Sequence, residues 1–186
     1  PTREIEGRRA WILMQAGQPV KAIDAMQALL EREPDYAWGM GELAGWLSRR
    51  SDWARLRELA RKWVRVAPRE TRALGYLGQA ERQLGHAEEA KKAYARAHSL
   101  DPDYIYAGRQ LADIQMELGE FDQAAATIAL LRHYAPGPES TSDAIELALK
   151  RGSVPDALRE AEALLTDKGA GTETFEWIAT LFQRVG

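Results

Sequence analysis

Few side chains in this sequence are suited to chemistry, and their spacing argues against a reaction centre. The three histidines, His86, His98 and His133, have no second His or Cys at metal-ligand spacing. The chain contains no Cys, which removes disulfides and thiolate metal sites. Glu88, Glu89, Glu117, Glu120 and Asp122 fall at predicted helix starts and turns, where a carboxylate favours the helix dipole or caps a helix end. Ser140, Thr141, Ser142 and Asp143 read as a helix-opening cap, not as a nucleophile with its base. No Gly-rich phosphate loop follows a strand-like run. The expectation is a chain with no catalytic residue, no metal site and no cofactor.

The elements that carry these residues follow one rhythm. Pro34, Pro68, Pro102 and Pro136 recur every 34 residues. Between them, apolar residues recur at i, i+3, i+4 and i+7 over segments of about 12 to 14 residues, the period of an amphipathic helix. Ala, Leu, Glu and Arg dominate, all strong helix formers. Gly17, Gly85, Gly119 and Gly152 fall at the ends of first helices, where a left-handed C-cap favours Gly. Second helices open on Pro19 and near Pro155, suited to a first turn, or on Ser51–Asp52 and Asp122, suited to capping. Each closing proline stops the helix before it.

The third unit carries Leu74, Leu77, Gly78, Gly85, Ala90, Tyr94, Ala97 and Pro102, and this pattern resembles the tetratricopeptide repeat. It has Leu74 for the usual Trp and Glu81 for the usual Tyr. The first unit matches through Gly17, Ala22, Met26, Leu29 and Pro34, the fourth through Leu111, Ala112, Gly119, Ala124, Ile128, Leu131 and Pro136. In the second unit Leu56 replaces the small Ala of the second helix and Ala60 takes the aromatic place, an exchange of large for small. The fifth is one residue shorter, with Gly152, Ala157, Ala161 and Leu164, and Gly169 where Pro would stand. Repeats are expected at 3–36, 37–70, 71–104, 105–138 and 139–171. Residues 172–186 should hold the first helix of a sixth, through Phe175, Ile178, Leu181 and Phe182.

The resemblance implies an all-α, right-handed solenoid of stacked antiparallel helix pairs, whose first helices line a concave groove. It therefore implies series of groove residues one repeat apart: Trp38, Arg72 and Tyr106; Trp11, Gly45, Gln79 and Asp113; Met14, Ser48, Arg82 and Met116; Gly7, Gly41, Gly75 and Arg109. Aromatic and Arg side chains anchor interfaces, so the expected partner-binding set is Trp11, Met14, Trp38, Arg72, Gln79, Arg82, Tyr106, Arg109 and Asp113. A glycine inside a helix costs about 1 kcal/mol against Ala. Close approach of a ligand or a neighbouring helix would offset that cost. No Asn occurs in the chain, so the paired-Asn clamp with which some members of this family hold chaperone C-termini is not expected.

Apolar residues make up 45% and charged residues 28% of the chain, enough to build a core. The net charge of -3 argues against a nucleic-acid partner bound through overall basicity, and no apolar run is long enough to span a bilayer. Charge is uneven. Residues 37–70 carry eight basic and four acidic side chains, and Arg55, Arg57, Arg61, Lys62 and Arg65 form a candidate patch for an anionic partner. The leading expectation is a non-catalytic scaffold for a protein or peptide partner. Two alternatives stay open: a repeat region of a bacterial exopolysaccharide-export protein contacting polysaccharide, or the substrate-recruiting part of an enzyme. Self-association through 174–184, whose Phe175, Trp177 and Phe182 would be exposed, is also expected. The chain starts at Pro1 and stops mid-pattern, which reads as a piece of a longer bacterial protein, periplasmic or cytoplasmic.

Overall fold

The computed structural model describes residues 2–166, Glu176 and Ile178–Thr180. Up to residue 166 the helices are, in order, α1 (Arg3–Gln15), α2 (Pro19–Arg32), α3 (Ala37–Arg49), α4 (Trp53–Val66), α5 (Thr71–Gln83), α6 (Ala87–Leu100), α7 (Ile105–Glu117), α8 (Phe121–Tyr134), α9 (Pro138–Lys150) and α10 (Val154–Thr166). No strand occurs among the described residues. The chain forms two compact units, one up to Leu100 and one from Asp101 onward, and each is built of antiparallel helix pairs. The expected sixth first helix lies almost wholly outside the described residues.

The turn inside each pair is the same structure five times. Gly17, Gly85, Gly119 and Gly152 take positive φ, between 72° and 82°, and Ser51 joins them at 56°. One residue beyond, the backbone N–H reaches back five residues: Gln18 to Leu13 O (2.9 Å), Asp52 to Leu47 O (3.0 Å), His86 to Glu81 O (2.8 Å), Glu120 to Gln115 O (2.8 Å) and Ser153 to Ala148 O (2.9 Å). This is the Schellman closure, which satisfies carbonyls that the helix end leaves unpaired. A side chain in the left-handed region crowds its own carbonyl, at a cost of about 1–2 kcal/mol per residue. Ser51 bears that cost where its four counterparts do not. Ser51→Gly should therefore raise the unfolding free energy by about 0.5–1 kcal/mol, read as a shift in urea midpoint at constant m. An unchanged or lowered midpoint would contradict the strain.

The first unit has one continuous core running from Ala10 to Ala80, with Met26, Leu43, Trp46, Leu56 and Trp63 among its members. Small and large side chains alternate across the helix pairs: Ala10 faces the register of Met26, and Gly78 that of Tyr94. The second pair departs from this. On α4 the buried Leu56 stands where α2 and α6 have Ala22 and Ala90, and the buried Trp63 stands where they have Leu29 and Ala97. Ala60 in turn stands where they have Met26 and Tyr94, and α4 packs more extensively against α5 than against α3.

The second unit pairs α7 with α8 and α9 with α10. The large-for-small exchange recurs here. Ala112 and Ile128 are buried on the first pair, Ile145 and Ala161 at the matching places on the second. Two sequence expectations about caps are corrected. Helix α9 opens at Pro138, so Ser140 to Asp143 lie inside its first turns. The Ser140 and Thr141 hydroxyls donate to Gly137 O (3.0 and 3.2 Å) and Ser142 donates to Pro138 O (2.9 Å). A capping oxygen would instead accept from an N–H ahead of it. Asp122 is likewise the second residue of α8, not its cap, and it accepts from Arg151 Nη2 at 2.7 Å. Asp52 does cap α4, accepting from the Arg55 N–H at 3.3 Å.

Candidate functional site

In the first unit, α1, α3 and α5 are the first helices, and their recognition-type side chains pack largely on one another. Trp38 of α3 lies over α1. A Cβ added at Gly7 would come within 3.0 Å of the Trp38 ring and 2.9 Å of Tyr36. Arg8 stacks its guanidinium 4.6 Å from the Trp38 ring centre, an attraction of cation to ring quadrupole. One unit on, a Cβ at Gly41 would meet the Arg72 guanidinium at 2.5 Å, and Arg72 sits 5.8 Å from the ring centre of Trp63. The helical glycines thus admit a side chain of the following helix, the second of the two uses that could offset their propensity cost.

The other expected binding residues of this unit are placed as follows. Trp11 and Met14 are half-buried against the core. Gln79 accepts from the Ser48 hydroxyl at 3.0 Å, tying α5 to α3. Arg82 is half-buried near the end of α5. Arg72 is exposed, and of this set it offers the most surface to a partner.

In the second unit the first helices α7 and α9 enclose a pocket of about 520 Å³. Tyr106, Arg109 and Asp113 line it from α7, each one helical turn from the next on one face. Glu139, Asp143 and Glu146 line it from α9. Arg109 donates to Glu139 (2.7 Å) and Asp143 (3.1 Å) across the two helices. Burial raises the pKa of the Asp143 carboxyl, and the Arg109 guanidinium beside it pulls the other way. Tyr106 is 42% exposed, its ring tilted against Tyr104 at 6.0 Å. Four carboxylates around one guanidinium make this pocket anionic.

Sequence reasoning named the α7 side of this pocket and missed the α9 side. The one-residue deletion in the fifth unit broke the 34-residue register, and the Ser–Thr–Ser–Asp run suggested a cap. The signal that could have corrected it was Gly119 to Gly152, a step of 33, which brings Pro138 into line with Ile105 and Asp143 into the pocket-facing turn.

The five basic residues of α4 do not act together. Arg61 leaves the patch and donates to Glu81 Oε1 on α5 at 2.8 Å. Arg55, Arg57, Lys62 and Arg65 line a different cleft, between α2 and α4. Among the described residues no cluster of three or more His, Cys, Asp or Glu could hold a metal ion, and no helix is long and apolar enough to cross a membrane.

Antiparallel helix pairs repeated at a fixed register define a helical-repeat protein of the kind that serves as an interaction scaffold. Tetratricopeptide-repeat family models match residues 8–36 and 81–140. Superkiller protein 3 of Schizosaccharomyces pombe is 35% identical over 66 residues, 36% of this chain. The chain spans about 5% of that relative's length. A tetratricopeptide repeat protein from Parabacteroides merdae superposes with a TM-score of 0.82 at 15% identity, over 97% of this chain and 72% of its own. YrrB, a TPR protein described as having an unusual peptide-binding site, superposes with a TM-score of 0.73 at 15% identity, over 90% of this chain and 87% of its own. The chain belongs to the tetratricopeptide-repeat family, and its fold is the all-α solenoid class of that family.

Proposed function

We propose that this chain is a non-catalytic scaffold whose first helices seat a partner segment, and that the α7/α9 pocket receives a Lys or Arg side chain of that segment. The observation carrying this reading is the pocket's composition. Asp113, Glu139, Asp143 and Glu146 surround a single Arg109, with the Tyr106 ring exposed at its edge. A cation entering there meets partly desolvated carboxylates, where charge-assisted hydrogen bonds are stronger than in water. The aromatic edge supplies area and a cation–π surface. In the first unit, Arg72, Trp38 and Trp11 offer a separate surface, with less reach because each also packs on its neighbours. The peptide-binding site of YrrB agrees with a peptide partner here.

The test is selection of displayed random peptides on the wild-type protein, followed by rebinding to Tyr106→Ala/Glu146→Gln. Enriched sequences should be rich in Lys and Arg. The double variant, with its helical circular dichroism intact, should bind them about tenfold more weakly or worse. Enrichment without basic residues, or undiminished rebinding, would reject the reading.

A further inference from the structure

A cleft of the first unit lies not between first helices but between the second helices α2 and α4, with a volume of about 670 Å³. Its lining below the rim is apolar. Met40, Leu43 and Leu47 of α3 close the bottom, each 2% exposed, and Leu30 of α2 with Leu59 and Val66 of α4 form the walls, Val66 being 47% exposed. It lies beside a helix α4 that packs more extensively on α5 than on α3.

The rim is cationic. Four basic side chains of α4 face two carboxylates, Glu31 and Glu58. The rim cations differ in what already occupies them. Arg55 bridges to α2, donating to Gln27 with Asp24 at 3.9 Å, and so closes one end. Arg57 has Glu58 3.6 Å from its Nε, but that Nε is shielded from solvent and makes no hydrogen bond. Lys62 and Arg65 form no ion pair with any described residue. From residue 57 to residue 65 the helix rises about 12 Å, a little over two turns.

We propose that this cleft is a second docking site, taking a short amphipathic helix of a partner protein, with its apolar edge on the Leu30, Leu59 and Val66 walls and its Asp or Glu flank against Arg57, Lys62 and Arg65. One feature favours a helix over an acyl chain with a terminal carboxylate. The cations are strung along the wall, so one carboxylate could engage only one of them, whereas acids in successive turns of a helix would meet each in succession. The charge pattern excludes a basic helix, which would place like charges together as they lose water.

The probe is a fluorescein-labelled peptide of about 16 residues, with Leu at i, i+3, i+4 and i+7 and Glu on both flanks. Its counterpart carries Lys in place of Glu. Wild type should bind the Glu peptide, and bind the Lys peptide at least about tenfold more weakly. Raising salt should weaken binding of the Glu peptide. Lys62→Glu/Arg65→Glu should cost about tenfold or more. Ala54→Trp, which fills the cleft from an exposed wall position and leaves the charges in place, should do the same. Equal binding of the two peptides, no binding of the Glu peptide, or indifference to both variants would each overturn the proposal. So would dodecanoate binding at Lys62 and Arg65 without peptide binding, or a self-associating wild type that Ala54→Trp makes monomeric while the Glu peptide fails to bind. Tyr106→Ala/Glu146→Gln should leave Glu-peptide binding unchanged, so this site and the α7/α9 pocket stand or fall separately.

Discussion

Tyr94→Ala should lower the unfolding free energy by about 3–5 kcal/mol, the cost of deleting a large buried aromatic side chain. Tyr94 has no exposed surface, and its ring rests directly on α5. A Cβ at Gly78 would fall 2.8 Å from two ring carbons, nearer than carbon atoms approach. The ring therefore fills a space that exists only because residue 78 has no side chain. Removing the ring leaves a void with a glycine floor, and two rigid helices can close only part of it. The reverse change, Gly78→Ala, should also destabilise, because the ring must shift inside a filled core.

The two sites must then couple. Gly78→Ala should cost less on the Tyr94→Ala background than on wild type, since the added methyl enters vacated space. The repeat itself supports this, as Ala10 with Met26 and Ala112 with Ile128 set a smaller, ringless side chain over a larger floor at the same register. A double-mutant cycle by urea unfolding measures the coupling. Additive costs would show that the ring and the glycine do not share one space.

Arg61→Ala should cost about 2–3 kcal/mol, more than replacing the buried carboxylate it pairs with. Glu81 is 2% exposed because its register position is a core position, held by Leu47 and Ala148 in other units. Its carboxylate is met by Arg61 Nη2 at 2.8 Å and by His86 Nδ1 at 2.7 Å. Both partners are about half exposed, which makes the pair asymmetric. Deleting Arg61 strands a buried charge with His86 beside it. Deleting the carboxylate releases two groups that can return to water. Glu81→Leu should therefore be close to neutral, because it also supplies an apolar side chain like those of Leu47 and Ala148 at this register, where Gln115 is the other polar member. Denaturant midpoints of the two variants decide the matter. If Glu81→Leu proved the costlier change, the asymmetry would be wrong.

Arg61 also shows how far a residue pattern reaches. On α4, Arg57, Arg61 and Arg65 stand at i, i+4 and i+8, so helical geometry alone makes them one stripe. The stripe divides because α4 leans on α5, where Glu81 draws Arg61 away, while Arg57 and Arg65 remain over the cleft beside α2. Nothing local to α4 specifies that division. The acid responsible lies 20 residues on, at a position where the repeat usually places Tyr. In the same way, the spacing of Trp38 and Arg72 put them on equivalent turns, and only the packing revealed that each rests on a glycine of the preceding first helix.

By itself, then, the sequence determined the helices, their turns and their register. These depend on interactions within a few residues: apolar period, left-handed closure at Gly17, Gly85, Gly119 and Gly152, and prolines that forbid continuation. Such signals are local, and they repeat, so each unit corroborates the others. Only the tertiary structure decided where the clefts lie and which charges face them. A cleft is a difference between how closely two helices pack, and here α4 packs more extensively on α5 than on its own partner α3, which involves three helices at once. The charge of a surface is likewise settled by which carboxylates reach it from other helices, as Glu81 does for Arg61 and Asp143 for Arg109.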